Sequence, residues 1–96
     1  MKNLRWTRPA LDDLQEIHAY LAERNPQAAI NEIRLVRAQT QNLVTHPNIG
    51  RQGRIAGTRE LAVAGSSFVI AYRVTKTAID ILAVRHGARA WPEKMD

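Results

Sequence analysis

The chain has 96 residues, 45% of them hydrophobic and 24% charged, with a formal net charge of +5 and a sequence pI near 10.5. That size gives one domain spanning 1–96 with a modest core, and that balance marks a globular, soluble chain, not a disordered one. Having no cysteine excludes disulfides, thiolate catalysis and cysteine-ligated zinc. No run approaches the ~20 apolar residues that span a bilayer, and the first residues lack the apolar stretch of a signal peptide. A cytoplasmic protein with no membrane role is expected, attracted to nucleic acid or to an acidic protein segment.

In chain order, Asn3 to Thr7 comes first, with Leu4 and Trp6 alternating against Asn3 and Arg5, a short strand signal. Thr7 is placed to cap a helix and Pro9 to occupy its first turn, where a missing N–H costs nothing. Ala10, Leu14, Ile17 and Leu21 then recur at helical spacing, with Leu11 and Tyr20 widening the stripe. The acidic residues Asp12, Asp13 and Glu16 lie early in this helix, where negative charge suits the dipole. Arg24-Asn25-Pro26 ends this helix, and Asn25-Pro26 opens a second whose stripe is Ala29, Ile33, Val36, Thr40 and Leu43. Pro47 disfavours helical geometry at His46. The two helices are therefore predicted over 9–24 and 26–46, antiparallel because so little chain joins them.

Asn48 to Gly57 reads as a glycine-rich loop without a phosphate-loop pattern. Three strand-like runs fill 57–86, broken at Ala64-Gly65-Ser66 and Thr75-Lys76-Thr77. Connections this short force an antiparallel meander. In the middle run, Phe68, Ile70, Tyr72 and Val74 share one face, expected to meet the helices, and Val69, Ala71 and Arg73 share the other. In the last run both parities begin apolar, which predicts a central strand; strict alternation sets Leu82, Val84 and His86 against Ile79, Ile81, Ala83 and Arg85. The whole is an α+β domain: an N-terminal strand and an antiparallel helical hairpin packed on a small, mostly antiparallel sheet. So short a chain is expected to leave the far face of that sheet open.

Few residues offer chemistry. Arg85, His86 and Arg89 are expected to gather at one corner of the sheet, with Arg73 on the open face or its rim. His86 is either a proton-transfer group or a strand-end residue packed beside Tyr72 or Trp91. Arg59 and Glu60 alternate across a strand and are each expected to form an ion pair. Trp6 and Trp91 read as core or edge packing, with base stacking as the sharper alternative. His18, His46 and His86 lack metal-ligand spacing, so no metal and no cofactor are expected.

An ordered set of pieces runs through the chain: Ala10-Leu11-Asp12-Asp13-Leu14, Asn25-Pro26 with Ala28-Ala29, Leu43, Pro47, Gly50-Arg51, Gly57-Thr58-Arg59-Glu60-Leu61, Phe68-Val69-Ile70, Tyr72-Arg73-Val74 and Val84-Arg85-His86. Together they resemble the RelE/ParE superfamily of toxins from bacterial type II toxin–antitoxin modules, plasmid-borne or chromosomal. The resemblance implies a single RelE/ParE-like toxin domain that inhibits growth, a cognate antitoxin, and a toxin–antitoxin hetero-oligomer. It also implies antitoxin docking in the groove beside the helical hairpin and along the exposed sheet edge. One branch cuts messenger RNA on the ribosome, which requires a base, an acid and cations for the phosphorane charge. Aligned through Tyr72-Arg73-Val74, this chain sets Glu60, Ala62 and Val69 where that branch carries basic residues. The other branch, ParE-like, poisons DNA gyrase and commonly ends its last strand with a Val-x-His step and a short polar tail, as here. The resemblance thus favours a ParE-like gyrase poison with no enzymatic activity, its target contacts being Arg73, Arg85, His86, Arg89 and Trp91. The alternative is a ribosome-dependent endoribonuclease using His86, Arg85, Arg73 and Arg59; a non-toxic protein-binding module is the third reading.

Overall fold

The computed structural model describes residues 2–87. Strand β1 (Asn3–Trp6) leads into helices α1 (Arg8–Arg24) and α2 (Pro26–Asn42), followed by strands β2 (Arg51–Gln52), β3 (Arg59–Ala62), β4 (Phe68–Val74) and β5 (Ala78–His86). The five strands form one sheet in the order β1-β5-β4-β3-β2. Only the β1–β5 pairing is parallel; the others are antiparallel. The expected α+β hairpin-on-sheet architecture is what folds, and β5 is central as its two-sided apolar pattern predicts.

Local chemistry sets the element ends. Thr7 does two jobs at once: its Oγ1 accepts the Ala10 N–H at 3.4 Å and donates to the Ile81 carbonyl at 2.7 Å, tying the start of α1 to β5. Asn25 closes one helix and opens the next. Its N–H reaches the Leu21 carbonyl at 2.8 Å and its Oδ1 accepts from Ala28 N–H at 3.1 Å. Helix α2 stops at Asn42, earlier than the expected His46, because its last turn tightens: Leu43 N–H bonds the carbonyl of Thr40 and Val44 N–H that of Gln41. The proline at 47 acts beyond that tightened turn. β2 is absent from the sequence reading; two residues inside a glycine-rich loop carry no alternation signal.

The helices cover one face of the sheet. Ala10 and Leu14 from α1, Val36 and Leu43 around α2, and Val63, Ile70, Tyr72, Ile79, Ile81 and Val84 from the sheet side make the core. Each fully buried Ile or Leu contributes about 2 kcal/mol of hydrophobic stabilisation. Phe68 and Val74 pack on that core at half-burial, so the whole predicted helix-facing set of β4 is observed. Tyr20 is a correction: it is 59% exposed, and the Arg24 guanidinium lies 4.0 Å from its ring centre. Trp6 packs at the edge of the core.

The parity expected for β5 is also corrected. Tyr72 pairs with Ile81 while Ala71 pairs with Ala83, so Leu82 is an extra residue, a bulge. The bulge puts Ile79 and Ile81 on the core face together with Val84, although their numbers differ in parity. The far face is less open than expected: Val69, Ala71, Ala83 and Glu60 are all buried. Alanines there offer little beyond backbone to expose, and Glu60 is held under arginines from β2 and the loop after it.

Candidate functional site

The strand register divides the candidate residues between two ends of the sheet. Phe68 faces His86 at one end, and Arg73 faces Asp80 near the other. Arg59 pairs with Tyr72, beside Arg73. Phe68 and Arg73 are five steps apart along the strand, roughly 17 Å. Arg59 and Arg73 thus lie at one end, Arg85 and His86 at the other. The four residues of the nuclease alternative do not converge on one reacting phosphate. Arg89 and Trp91 lie outside the described residues.

The Arg59 end is built around a buried carboxylate. Glu60, its side chain 2% exposed, accepts from Arg51 Nη2 at 3.0 Å, from Arg54 N–H at 2.9 Å, from Arg54 Nε at 3.0 Å and from Arg54 Nη2 at 3.1 Å. Burial alone would raise its pKa; the bonds from the Arg54 backbone and guanidinium and from Arg51 outweigh that and hold the carboxyl below the usual range. Arg59 donates from Nη1 to the Gly50 carbonyl at 2.8 Å. The Tyr72 hydroxyl donates to the Pro47 carbonyl at 2.7 Å and accepts from Gly50 N–H at 2.9 Å. Burial raises that phenol's pKa, against smaller opposing effects of Gly50 and Arg59. Gly50 is required here, because a Cβ would stand 2.6 Å from the Tyr72 hydroxyl oxygen. The expected ion pairing of Glu60 is observed, whereas Arg59 instead serves backbone carbonyls. All of this fastens the 47–60 segment. Glu60 and Ala62 face the same side as Ala71 and Val69, their direct partners in β4. None of Glu60, Ala62 and Val69 can stabilise phosphate charge.

The other end opens into a groove of about 860 Å³ between the helical hairpin and the ends of β4 and β5. Ile17, Leu21, Phe68 and Val84 line it with apolar surface, Asp13, Glu16 and Glu32 with carboxylates, and Arg85 and His86 from the strand end. Beyond Trp6, the last residue of β1 paired to β5, helix α1 takes over that edge, and Asp13 Oδ2 accepts the Val84 N–H at 2.9 Å. Burial raises the Asp13 pKa, countered in part by the Val84 bond and by Arg85, whose Nε is 3.7 Å away. His86 meets Phe68 edge-on, ring centres 6.0 Å apart, so its observed aromatic partner is Phe68 and not Tyr72. Asp13 and Glu16 were legible only as helix-dipole residues, and Glu32 drew no reading. The available signal was their position: Asp13 and Glu16 flank Leu14 and Ile17, and Glu32 precedes Ile33 in the second stripe. Among the described residues, no three of His, Asp and Glu converge as metal ligands would.

With this geometry in view, the sequence model described as "ParE toxin of type II toxin-antitoxin system, parDE" matches residues 4–91. The chain belongs to the ParE toxin family. Two relatives extend the likeness over nearly full length. The protein Y4kP of Sinorhizobium fredii, which bears a toxin name, is 38% identical over 92 residues, covering 96% of this chain and 95% of the relative. Toxin RelE3 of Caulobacter vibrioides is 32% identical over 88 residues, covering 90% of this chain and 95% of the relative. Among solved structures, a chain of the chromosomal ParDE toxin–antitoxin system from P. aeruginosa superposes with a TM-score of 0.82 at 28% identity, covering 90% of this ParE-family chain and 96% of the other. Hairpin, meander and parallel β1 are therefore shared architecture. Among the described residues, no helix is long and apolar enough to cross a membrane.

Proposed function

We propose that this ParE-family toxin stops growth by poisoning DNA gyrase in the cytoplasm, without catalysis of its own, and that an antitoxin encoded beside it keeps it inactive in a hetero-oligomer. The observation that carries the gyrase reading is the division of Arg59 and Arg73 from Arg85 and His86 across the length of β4. Phosphoryl cleavage needs base, acid and cation within hydrogen-bond reach of one phosphate, and Glu60, Ala62 and Val69 supply no cation between the two ends. The family match over residues 4–91 and the likeness to a ParDE chain support a partner antitoxin. Its docking surfaces are the groove beside the hairpin and the sheet edge formed by β2 and β3. The target contacts are Arg85 and His86 at the end of β5, with Arg89 and Trp91 after them and Arg73 at the opposite end.

The name of the Caulobacter relative keeps a second reading in view, a ribosome-dependent endoribonuclease. Induction without antitoxin separates the two. Purified toxin should inhibit gyrase supercoiling, and translated messenger RNA should remain uncut. His86→Ala should leave killing largely intact, because it removes one target contact among five and no proton transfer. Codon-dependent cleavage on ribosomes that vanishes in His86→Ala would overturn the gyrase reading, and full viability on induction would leave a non-toxic binding module.

A further inference from the structure

The groove has the wrong charge for the partner that the whole chain's +5 suggests. Three carboxylates line it against one guanidinium, and Arg85 already lies beside Asp13. Among the described residues, Glu16 and Glu32 form no ion pair, and an apolar floor lies between them. Glu32 is the more telling of the two: its Oε2 is shut off from solvent and accepts no hydrogen bond from any described residue. A carboxylate oxygen held that way costs free energy until a donor reaches it. Tyr20, 59% exposed at the same groove, adds an aromatic wall. An acidic segment entering here would set like charges together with little water to screen them. An all-apolar segment would cover the floor and leave Glu32 Oε2 as it is.

We infer that the groove takes a protein segment presenting an arginine or lysine between apolar side chains, with the apolar groups on Phe68, Ile17 and Leu21 and the cation against Glu32 and Glu16. The inference rests on the antitoxin reading and adds the chemistry the antitoxin must bring. Acidic stretches of the same partner belong instead at the Arg51–Arg54–Arg59 edge. Recognition is thereby polarised: one partner must offer opposite charges to two ends of the toxin, which discriminates against segments carrying a single sign.

The test uses the full toxin in two arms. In the first, the antitoxin encoded beside the gene is titrated against wild type and Glu16→Gln/Glu32→Gln. The double variant should bind about 30-fold more weakly, chiefly through faster dissociation, while the thermal midpoint of the free toxin does not fall. One Arg→Gln or Lys→Gln change in the antitoxin should cost a similar factor against wild type and almost nothing against the double variant, the signature of direct coupling. Binding within about twofold of wild type by the double variant, or additive losses, overturns the inference while leaving the antitoxin reading standing. In the second arm, two short helical peptides share one apolar stripe and differ by a single arginine or glutamate at its border. The arginine peptide should bind the toxin at least about tenfold more tightly, and that preference should disappear in the double variant. Equal binding, a glutamate preference, or assembly of toxin copies through the groove overturns the inference. If no product of the neighbouring gene binds, the proposed function fails, and the peptides still decide the inference.

Discussion

Glu60 and Glu32 stand at opposite ends of the same domain, the first buried whole and the second half-buried with one oxygen out of reach of water. Glu60 is satisfied by four donors from two arginines and a backbone amide. Glu32 has an oxygen shut off from solvent that accepts no hydrogen bond from any described residue. The first carboxylate holds its loop in place and is finished when the chain folds. The second finds no donor among the described residues. Burial alone therefore says little, and the list of donors says which role a carboxylate plays.

The largest expected effect is at the satisfied end. Glu60→Ala removes four charge-assisted hydrogen bonds, one of them from the Arg54 N–H, and should lower unfolding free energy by about 3 kcal/mol in urea titration. A loss under about 1 kcal/mol would erase the contrast with Glu32. Tyr72→Phe should cost about 2 kcal/mol, because the Gly50 N–H and the Pro47 carbonyl both lose a buried partner. Amide exchange at Gly50 should quicken in that variant, which ties the loss to the 47–50 segment. Asp13→Ala should cost about 1 kcal/mol by leaving the Val84 N–H unmet, read by thermal unfolding. Glu32→Gln should not lower free-toxin stability and should raise it by up to about 1 kcal/mol, since it removes a charge that no described donor meets.

Acid titration sharpens the same comparison, since the two shifted carboxyls act with opposite sign. The Glu60 pKa is lowered by folding, so its contribution is present above the ordinary value of 4.5 and is lost as pH falls through the lower folded value. The Asp13 pKa is raised, so the folded state holds that proton better, and its contribution falls as pH rises from 3.8 through the folded value. Urea midpoints against pH should therefore show a flatter acid limb in Glu60→Gln and a steeper one in Asp13→Asn.

Most of the architecture was legible because it rests on signals local to the chain. Asn25-Pro26 announces the hairpin in two residues, and Ala64-Gly65-Ser66 announces a tight turn that uses Gly65 at a φ of 83°. The bulge at Leu82 was not legible: Ile79 to Val84 is apolar on both parities apart from Asp80, so a slip of one residue leaves no mark in the pattern. The tightened end of α2 was hidden for a related reason, since Leu43 and Val44 continue an apolar stripe whether the turn is α or tighter. The site was less legible than the fold. That Glu60 meets Arg51 and Arg54 depends on pairing β2 with β3, and β2 is two residues long. That Glu32 faces the ends of β4 and β5 depends on how the hairpin lies on the sheet. Arg59 and Arg73 were grouped with Arg85 and His86 by residue type, and only the strand register shows how far apart they stand.

The pairing of β1 with β5 has a consequence for the order in which the protein can come into being. The Thr7–Ile81 hydrogen bond spans 74 positions, and it joins the first strand and helix start to nearly the last element. Closing so long a loop is entropically unfavourable until the strands that reward it are present. During synthesis the α1–α2 hairpin can form as soon as it leaves the ribosome, because its contacts are local. The sheet beneath it cannot close until Ile81 has been made and released from the exit tunnel. Until β5 has emerged the nascent chain lacks its central strand, and the groove and the Arg85–His86 end come into existence together with it. A partner that docks in the groove therefore has no surface to bind until β5 has joined the sheet.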